Sequence, residues 1–189
     1  MNEENNGHLT RPPTHEAFWP TDLFEQGIGW VIIARFKSGG QRVEAGVFLV
    51  DVSCLGVKFA DYEMCDAADY RKRIRDHYRE SFPVVPVEPW CARKLVEQSV
   101  QYAQGLGLAP HPDYKKAARV FGGLQAGECA RQFTFGRKGK PFYCRGPRET
   151  EEQAKRIIEH LERRCGPGNY DYLVALGNAE DITRFHENE

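Results

Sequence analysis

Apolar and polar positions recur with two different periods along this chain, and the periods divide it into strands and helices. Two runs rich in β-branched and aromatic residues, 29–37 and 42–52, flank the turn sequence SGGQ at 38–41. Such runs around a short glycine-containing turn predict a β-hairpin. Both alternating sets of positions are apolar over most of the first run, so we expect both faces of the sheet to be covered.

Further strands are predicted downstream. Residues 132–135 and 141–144 flank the sequence GRKGK, whose two glycines supply the positive φ values of a tight turn, and this predicts a second hairpin. The sequence YDYLVAL at 170–176 predicts a last strand. Residues 54–59 are expected to form a bulged continuation of the first hairpin or a short third strand, because Gly56 marks an irregularity there.

Four segments carry apolar residues at helical spacing, namely 66–81, 90–105, 112–121 and 149–164. Strands and helices in this order predict a single α+β domain over 19–177. Its sheet is expected to be mostly antiparallel, built from the two hairpins and the C-terminal strand, and covered by about four helices. Residues 1–18 and 178–189 are polar with few core formers, so we expect a disordered leader and a flexible acidic tail.

Composition narrows the functional classes. The 189 residues are 41% apolar and 28% charged, with a formal net charge of −1, so the chain as a whole is not drawn to nucleic acid or to an anionic membrane. No run approaches the ~20 apolar residues that cross a bilayer, and the polar start differs from a secretory signal. We therefore expect a soluble cytoplasmic protein without membrane contact.

Cysteine and glycine patterns give no sign of a cofactor. The six cysteines include no CxxC pair and no pair at zinc-ligand spacing, so we expect reduced, mostly buried thiols and no metal. The glycine-rich segments do not match a dinucleotide fingerprint or a phosphate loop. No cofactor is predicted.

The strongest local feature is positive charge between 129 and 148, a segment without any acidic residue. Cations interleaved with aromatic rings suit a polyanion, because they combine phosphate neutralisation with stacking. The predicted binding residues are Arg131, Arg137, Lys138, Lys140, Tyr143 and Arg145. We favour a non-catalytic binding or accessory module that contacts a nucleic acid or a protein partner through this hairpin.

Two other functional classes stay open at this point. A small cysteine-dependent hydrolase or transferase would use Cys54 as nucleophile, His111 as base and Asp113 to orient the imidazole. A structural subunit of a larger complex would use exposed aromatic residues such as Trp19 and Trp90 for contact. Asp51, Asp61 and Glu63 surround Lys58 in sequence, but acids at strand ends are usually solvated or paired with a lysine.

Four segments together resemble an uncharacterised bacterial protein family: GVFLVDVSCLGVKFA (46–60), LGLAPHPDYKKA (106–117), FTFGRKGKPFYCRGP (133–147) and GPGNYDYLVAL (166–176). The resemblance covers roughly 28–176 and implies one coherent module with no known activity. The family tends to carry an acidic residue after the lysine of CLGVK, where this chain has Phe59. A role for that acid is therefore not transferred to this chain.

Overall fold

Five antiparallel strands form the main sheet of the computed structural model, which describes residues 14–174. Their order across the sheet is β4-β3-β2-β1-β5. The strands are β1 (His15–Pro20), β2 (Ile28–Lys37), β3 (Arg42–Asp51), β4 (Gly56–Asp66) and β5 (Val84–Val87). The predicted hairpin at 29–52 is confirmed, since β2 and β3 pair continuously from Ile28 opposite Asp51 to Lys37 opposite Arg42. The predicted α+β fold class is confirmed as well.

The helices lie close to the four segments predicted from periodicity. One continuous helix, 67–81, begins as α2 (Ala67–Asp69), widens to a π-helix (Tyr70–Asp76) and ends as α3 (His77–Ser81). A short α1 (Leu23–Gln26) precedes β2, and the others are α4 (Pro89–Gly105), α5 (Tyr114–Ala117), which continues as a 3-10 turn (Ala118–Phe121), and α6 (Glu151–Cys165). Two further 3-10 turns lie at Ser38–Gly40 and Ala126–Glu128.

Both faces of the sheet bury apolar side chains, as the double alternation in β2 predicts. On one face Val31 and Ile33 pack with α4 through Leu95, Val96 and their neighbours. On the other face Ile32 and Ala34 of β2 pack with Tyr70 and Ile74 of helix 67–81. A third cluster forms under α6 and contains Cys54, Tyr143, Ala154 and Leu161. Adjacent residues of β2 point to opposite faces of the sheet. A one-residue slip in register would therefore move each set of side chains into the other core, where it does not fit.

The predicted disordered leader, 1–18, is too long. Residues 15–18 belong to β1, which lies between β2 and β5, and Ala17 and Phe18 are buried. The polar composition of 1–13 obscured the apolar run AFWP at 17–20, whose burial outweighs the entropy cost of ordering the strand. Residues 1–13 and the predicted tail at 178–189 lie outside the described residues.

The predicted second hairpin does not form as a strand pair. Residues 142–144 make a short strand, β6 (Phe142–Cys144), that pairs in parallel with β7 (Asp171–Leu173), in a separate two-stranded sheet. Residues 132–135 instead pack their rings against the main body, with Phe133 on Trp19 and Phe135 stacked on Tyr102. The strand predicted at 54–59 is longer than expected. It begins at Gly56, has a bulge at Lys58 and continues to Asp66 as the edge strand β4.

A disulfide between Cys91 and Cys129 overturns the expectation that all six cysteines are reduced. The two Cα atoms lie 4.9 Å apart and both residues are buried. Their sequence separation of 38 gives no short-range sign of the pairing. The bridge joins the first turn of α4 to the start of the basic segment, 129–148, and Lys94 of α4 donates to the carbonyl oxygens of Cys129 and Arg131 beside it.

The disulfide predicts a thiol count. Denatured protein that has not been reduced should titrate four thiols with Ellman's reagent, because the free cysteines are Cys54, Cys65, Cys144 and Cys165. After reduction the count should rise to six. A Cys91→Ser, Cys129→Ser variant is the control, with four thiols in both conditions. Loop-closure entropy for a loop of this length predicts that the variant loses about 4 kcal/mol of unfolding free energy. Six thiols in the unreduced wild type would contradict the pairing.

Candidate functional site

Residues 137–140, here called the basic turn, form a tight reversal at the surface. The backbone N–H of Arg137 donates to the Lys140 carbonyl at 2.7 Å, and the reverse bond measures 3.1 Å. Lys138 and Gly139 occupy the tip with φ values of 51° and 81°. Lys138 is the only residue other than glycine with a positive φ among residues 14–174. The left-handed conformation costs a residue with a Cβ about 1–2 kcal/mol of conformational free energy. Glycine or asparagine would adopt it at lower cost than the lysine found at position 138.

A glycine sets the turn against the rest of the molecule. Gly136 has a φ of 80°, and a Cβ there would lie 2.5 Å from the Lys140 carbonyl oxygen and 2.9 Å from the Tyr102 hydroxyl. Its backbone N–H donates to the Val52 carbonyl at 2.8 Å. The backbone at the start of the basic turn is therefore held by a hydrogen bond just after β3 and by close packing against α4.

The charges of the basic turn have no acidic partner within residues 14–174. Arg137 and Lys140 face each other across the turn, where like charges repel. The Arg137 guanidinium lies over the Phe142 ring at 4.9 Å, and Lys140 Nζ donates to the Gly168 carbonyl at 2.7 Å. These contacts orient the side chains without neutralising them. Lys138 is exposed as well, so the basic turn carries three positive charges within four residues.

Two of the predicted binding residues are engaged elsewhere. Arg131 lies 3.5 Å from Glu88 and over the Trp19 ring, at the start of the basic segment. Arg145 donates to the Glu149 carbonyl at 2.9 Å and lies 3.9 Å from Glu151, at the start of α6. Carboxylates therefore offset part of their charge. The structure brings together Arg137, Lys138 and Lys140, and it places these two arginines in separate surroundings.

Tyr143 was predicted to stack on a ligand, and this prediction is wrong. The side chain is fully buried in the cluster under α6, and its hydroxyl donates to Glu149 Oε2 at 2.6 Å. Strand alternation explains the error. Within the three-residue β6, the central Tyr143 points inward while Cys144 is exposed. Reading 142–144 as an isolated strand against a helix, rather than as half of a hairpin, would have given this orientation.

Glu149 holds together the end of the basic segment. Lys58 Nζ lies 2.6 Å from Glu149 Oε1, and both side chains are less than one-fifth exposed. The Gly146 N–H adds a bond to Oε2 at 3.2 Å. Burial acts to raise the pKa of Glu149, but the Lys58 ammonium and the hydrogen bonds from Tyr143 and Gly146 outweigh it, so the pKa lies below its usual value. Sequence analysis missed this partner, since Lys58 and Glu149 are far apart in the chain.

The acids predicted near Lys58 have separate structural roles. Asp51 is buried and accepts hydrogen bonds from the backbone N–H groups of Ser53 and Cys54, each at 2.9 Å. Burial raises the pKa of Asp51 despite these bonds. Asp61 accepts the Tyr62 N–H, and Glu63 pairs with Arg73 at 2.8 Å. The acids thus shape the turn after β3 and the edge of the sheet.

The environment of Cys54 does not suit a nucleophile. The side chain is fully buried, and burial, with Asp51 nearby, raises the pKa of the thiol to about 12. At neutral pH the sulfur is therefore protonated. His111 packs against Phe59 at 5.3 Å, and its Nδ1 accepts the Asp113 N–H at 3.2 Å. That bond uses the backbone of Asp113, whose carboxylate lies 3.8 Å from the ring.

Trp19, predicted as a contact residue of a structural subunit, is also buried.

Within 14–174, no group of three or more His, Cys, Asp or Glu side chains is placed to hold a metal ion. Over the same residues, no helix is long and apolar enough to span a membrane. Comparisons of the chain with protein-family models, with curated proteins and with solved structures find no match.

The network around Glu149 predicts a pH dependence of stability. A lowered folded-state pKa adds stability above the unfolded-state value, about 4.3, and this contribution disappears as the pH falls through the folded-state pKa. Glu149→Gln should lower the unfolding free energy at pH 7 by about 1–3 kcal/mol. It should also flatten the loss of stability between pH 5 and pH 3, measured by urea unfolding. Glu159→Gln, at an exposed site of α6, is the control. An unchanged acid profile in Glu149→Gln would contradict the role of this carboxylate.

Proposed function

We propose that this chain is a non-catalytic module that binds the phosphate backbone of a nucleic acid through the basic turn. The observation that carries the proposal is the group formed by Arg137, Lys138 and Lys140, which are exposed and have no carboxylate partner within 14–174. Contacts with the Phe142 ring and the Gly168 carbonyl hold Arg137 and Lys140 in place, so these two side chains have less freedom to lose on binding.

A nucleic acid suits this group better than an isolated acidic side chain does. A single nucleic-acid strand carries a negative charge about every 3.4 Å of helix rise, and three cations on four residues match a short row of such charges. Each phosphate contacted releases counterions, which makes affinity depend steeply on salt. For three contacts the log–log slope should be about −2 to −3. An acidic protein segment is the other partner class, and it is an outcome of the experiment below.

The proposal places the protein in a bacterial cytoplasm, where nucleic acid is accessible. The disulfide is the feature that opposes this location, because cytosolic reductants keep most thiols reduced. Protein extracted from its cells under acid quench, with thiols then counted, tests the location directly. Four reactive thiols would favour an oxidising compartment, and six would favour the cytoplasm.

Reversing the charges of the basic turn tests the proposal. Lys138→Glu with Lys140→Glu should weaken binding of a fluorescein-labelled 20-nucleotide oligonucleotide by at least tenfold at 50 mM salt, because phosphate contacts become repulsive. The measurement is fluorescence anisotropy at several salt concentrations, and the log–log slope should fall by about 2. The matched control is Lys115→Glu with Lys116→Glu, two exposed lysines of α5 that have no ion-pair partner within 14–174. Equal effects of the two variants, or no binding by the wild type at low salt, would overturn the proposal.

Lys138→Gly separates charge from folding. Glycine removes the cost of the positive φ at this position but adds freedom to the unfolded chain, so a net gain of about 0.5–1 kcal/mol in unfolding free energy is expected. Affinity for the oligonucleotide should nevertheless fall, because one cation is lost. Thermal unfolding and anisotropy on the same preparation measure both effects. A variant that is more stable and binds equally well would exclude Lys138 from the interface.

A further inference from the structure

The described part of the chain ends beside the basic segment, 129–148. Strand β7 pairs in parallel with β6, which lies within that segment. The backbone N–H of Arg145 donates to the Leu173 carbonyl oxygen at 3.0 Å. Val174 follows as the last residue described, so the chain continues towards its acidic tail, 178–189, from a point next to Arg145.

The acidic tail and the basic segment carry opposite charges. The basic segment has six cations and no acid. The tail has a formal net charge of −3, because it has one cation, Arg184, and four acids, which are Glu180, Asp181, Glu187 and Glu189. The two segments therefore attract each other, and the six cations outnumber the net negative charge of the tail.

Carboxylates among residues 14–174 offset only part of the charge of the basic segment. Glu88 lies 3.5 Å from Arg131, and Glu151 lies 3.9 Å from Arg145. Four exposed cations of the segment have no carboxylate partner in this part of the chain, namely Arg137, Lys138, Lys140 and Arg148. Acids of the tail would supply the negative charge that these four side chains lack.

The tail is long enough to reach these cations. Leu173 stands beside Cys144 in the register, and at about 3.3 Å per strand residue the basic turn lies about 13 Å from the end of β7. Glu180 comes six residues after Val174, and an extended chain of that length spans about 20 Å. Because the tail is tethered, its acids have an effective concentration in the millimolar range, which favours even a weak contact.

We propose that the acidic tail binds the basic segment of the same molecule and competes with nucleic acid for its cations. This inference rests on the proposed function and adds a means of regulating it. The tail carries fewer charges than the segment, so it lowers the affinity for nucleic acid without abolishing binding. A nucleic-acid strand displaces the tail because it contacts more cations and releases more counterions.

Zero-length crosslinking of the full wild-type chain tests the contact directly. A carbodiimide joins a carboxylate to an amine that it touches, so mass spectrometry should find peptides in which the tail is linked to Lys138 or Lys140. The ion pair between Lys58 and Glu149, 2.6 Å apart, is the internal positive control. A mixture of isotope-labelled and unlabelled protein distinguishes links within one chain from links between copies. A control link without any tail link, or tail links found only between copies, would overturn the proposal.

Neutralising the first two acids of the tail tests the competition. Glu180→Gln with Asp181→Asn should raise the affinity for the labelled oligonucleotide about threefold to tenfold at low salt, because a tethered competitor is weakened. The gain should shrink as the salt concentration rises and screens the tail. The matched control is Glu3→Gln with Glu4→Gln, which changes the net charge of the chain by the same amount. Equal gains in the two variants, or no gain in the tail variant, would contradict the competition.

The outcomes separate this inference from the proposed function. Oligonucleotide binding that weakens after charge reversal of Lys138 and Lys140, without any tail crosslink, overturns the tail contact and leaves the proposed function in place. Tail crosslinks in a protein that binds no oligonucleotide at low salt, even with Glu180 and Asp181 neutralised, support the contact. That result overturns the proposed function and, with it, the competition.

Discussion

Burial of both faces of β2 and β3 is the constraint on which the rest of the structure depends. Neighbouring residues such as Val31 and Ile32 each need a cover, and they point in opposite directions. Helix α4 covers one face, and helix 67–81 covers only part of the other. The open remainder of that second face carries Ile28, Trp30 and Phe59, and Ile28 and Phe59 are each 38% exposed. The same two-sided burial thus gives the domain its stability and leaves one apolar surface exposed.

Electrostatic interactions determine which cations are available at the surface. Glu149 is fully used by Lys58, Tyr143 and the Gly146 N–H, and it keeps the end of the basic segment close to β4. Carboxylates partly offset Arg131 and Arg145. The basic turn is different, because its orienting partners are a ring and a carbonyl oxygen, which hold a cation in place without cancelling its charge. This difference separates cations that a carboxylate partly neutralises from cations that have no carboxylate partner within residues 14–174.

Local patterns in the sequence were sufficient for the elements whose stability is local or periodic. The first hairpin follows from a β-branched run, a glycine turn and a second run, and α6 follows from its apolar stripe with glutamates at its start and arginines at its end. Errors arose where distant contacts decide the structure. Tyr143 points inward because α6 packs on β6. Lys58 pairs with Glu149, which lies 91 residues away, just before α6. Cys91 and Cys129 form a disulfide although 38 residues separate them. None of these contacts leaves a periodic mark in the sequence. The exposure of Phe59 and its proximity to Trp30 likewise depend on a register that only the assembled sheet defines.

The disulfide also changes the covalent topology of the chain. Residues 91–129 become a closed ring that contains most of α4, all of α5 and the connector between them. A protease cut inside this ring would leave both pieces attached to one another, so the basic segment would stay tethered to the body that orients it. After a single cut between these two cysteines the fragments consequently remain covalently joined, even when the protein is unfolded under non-reducing conditions.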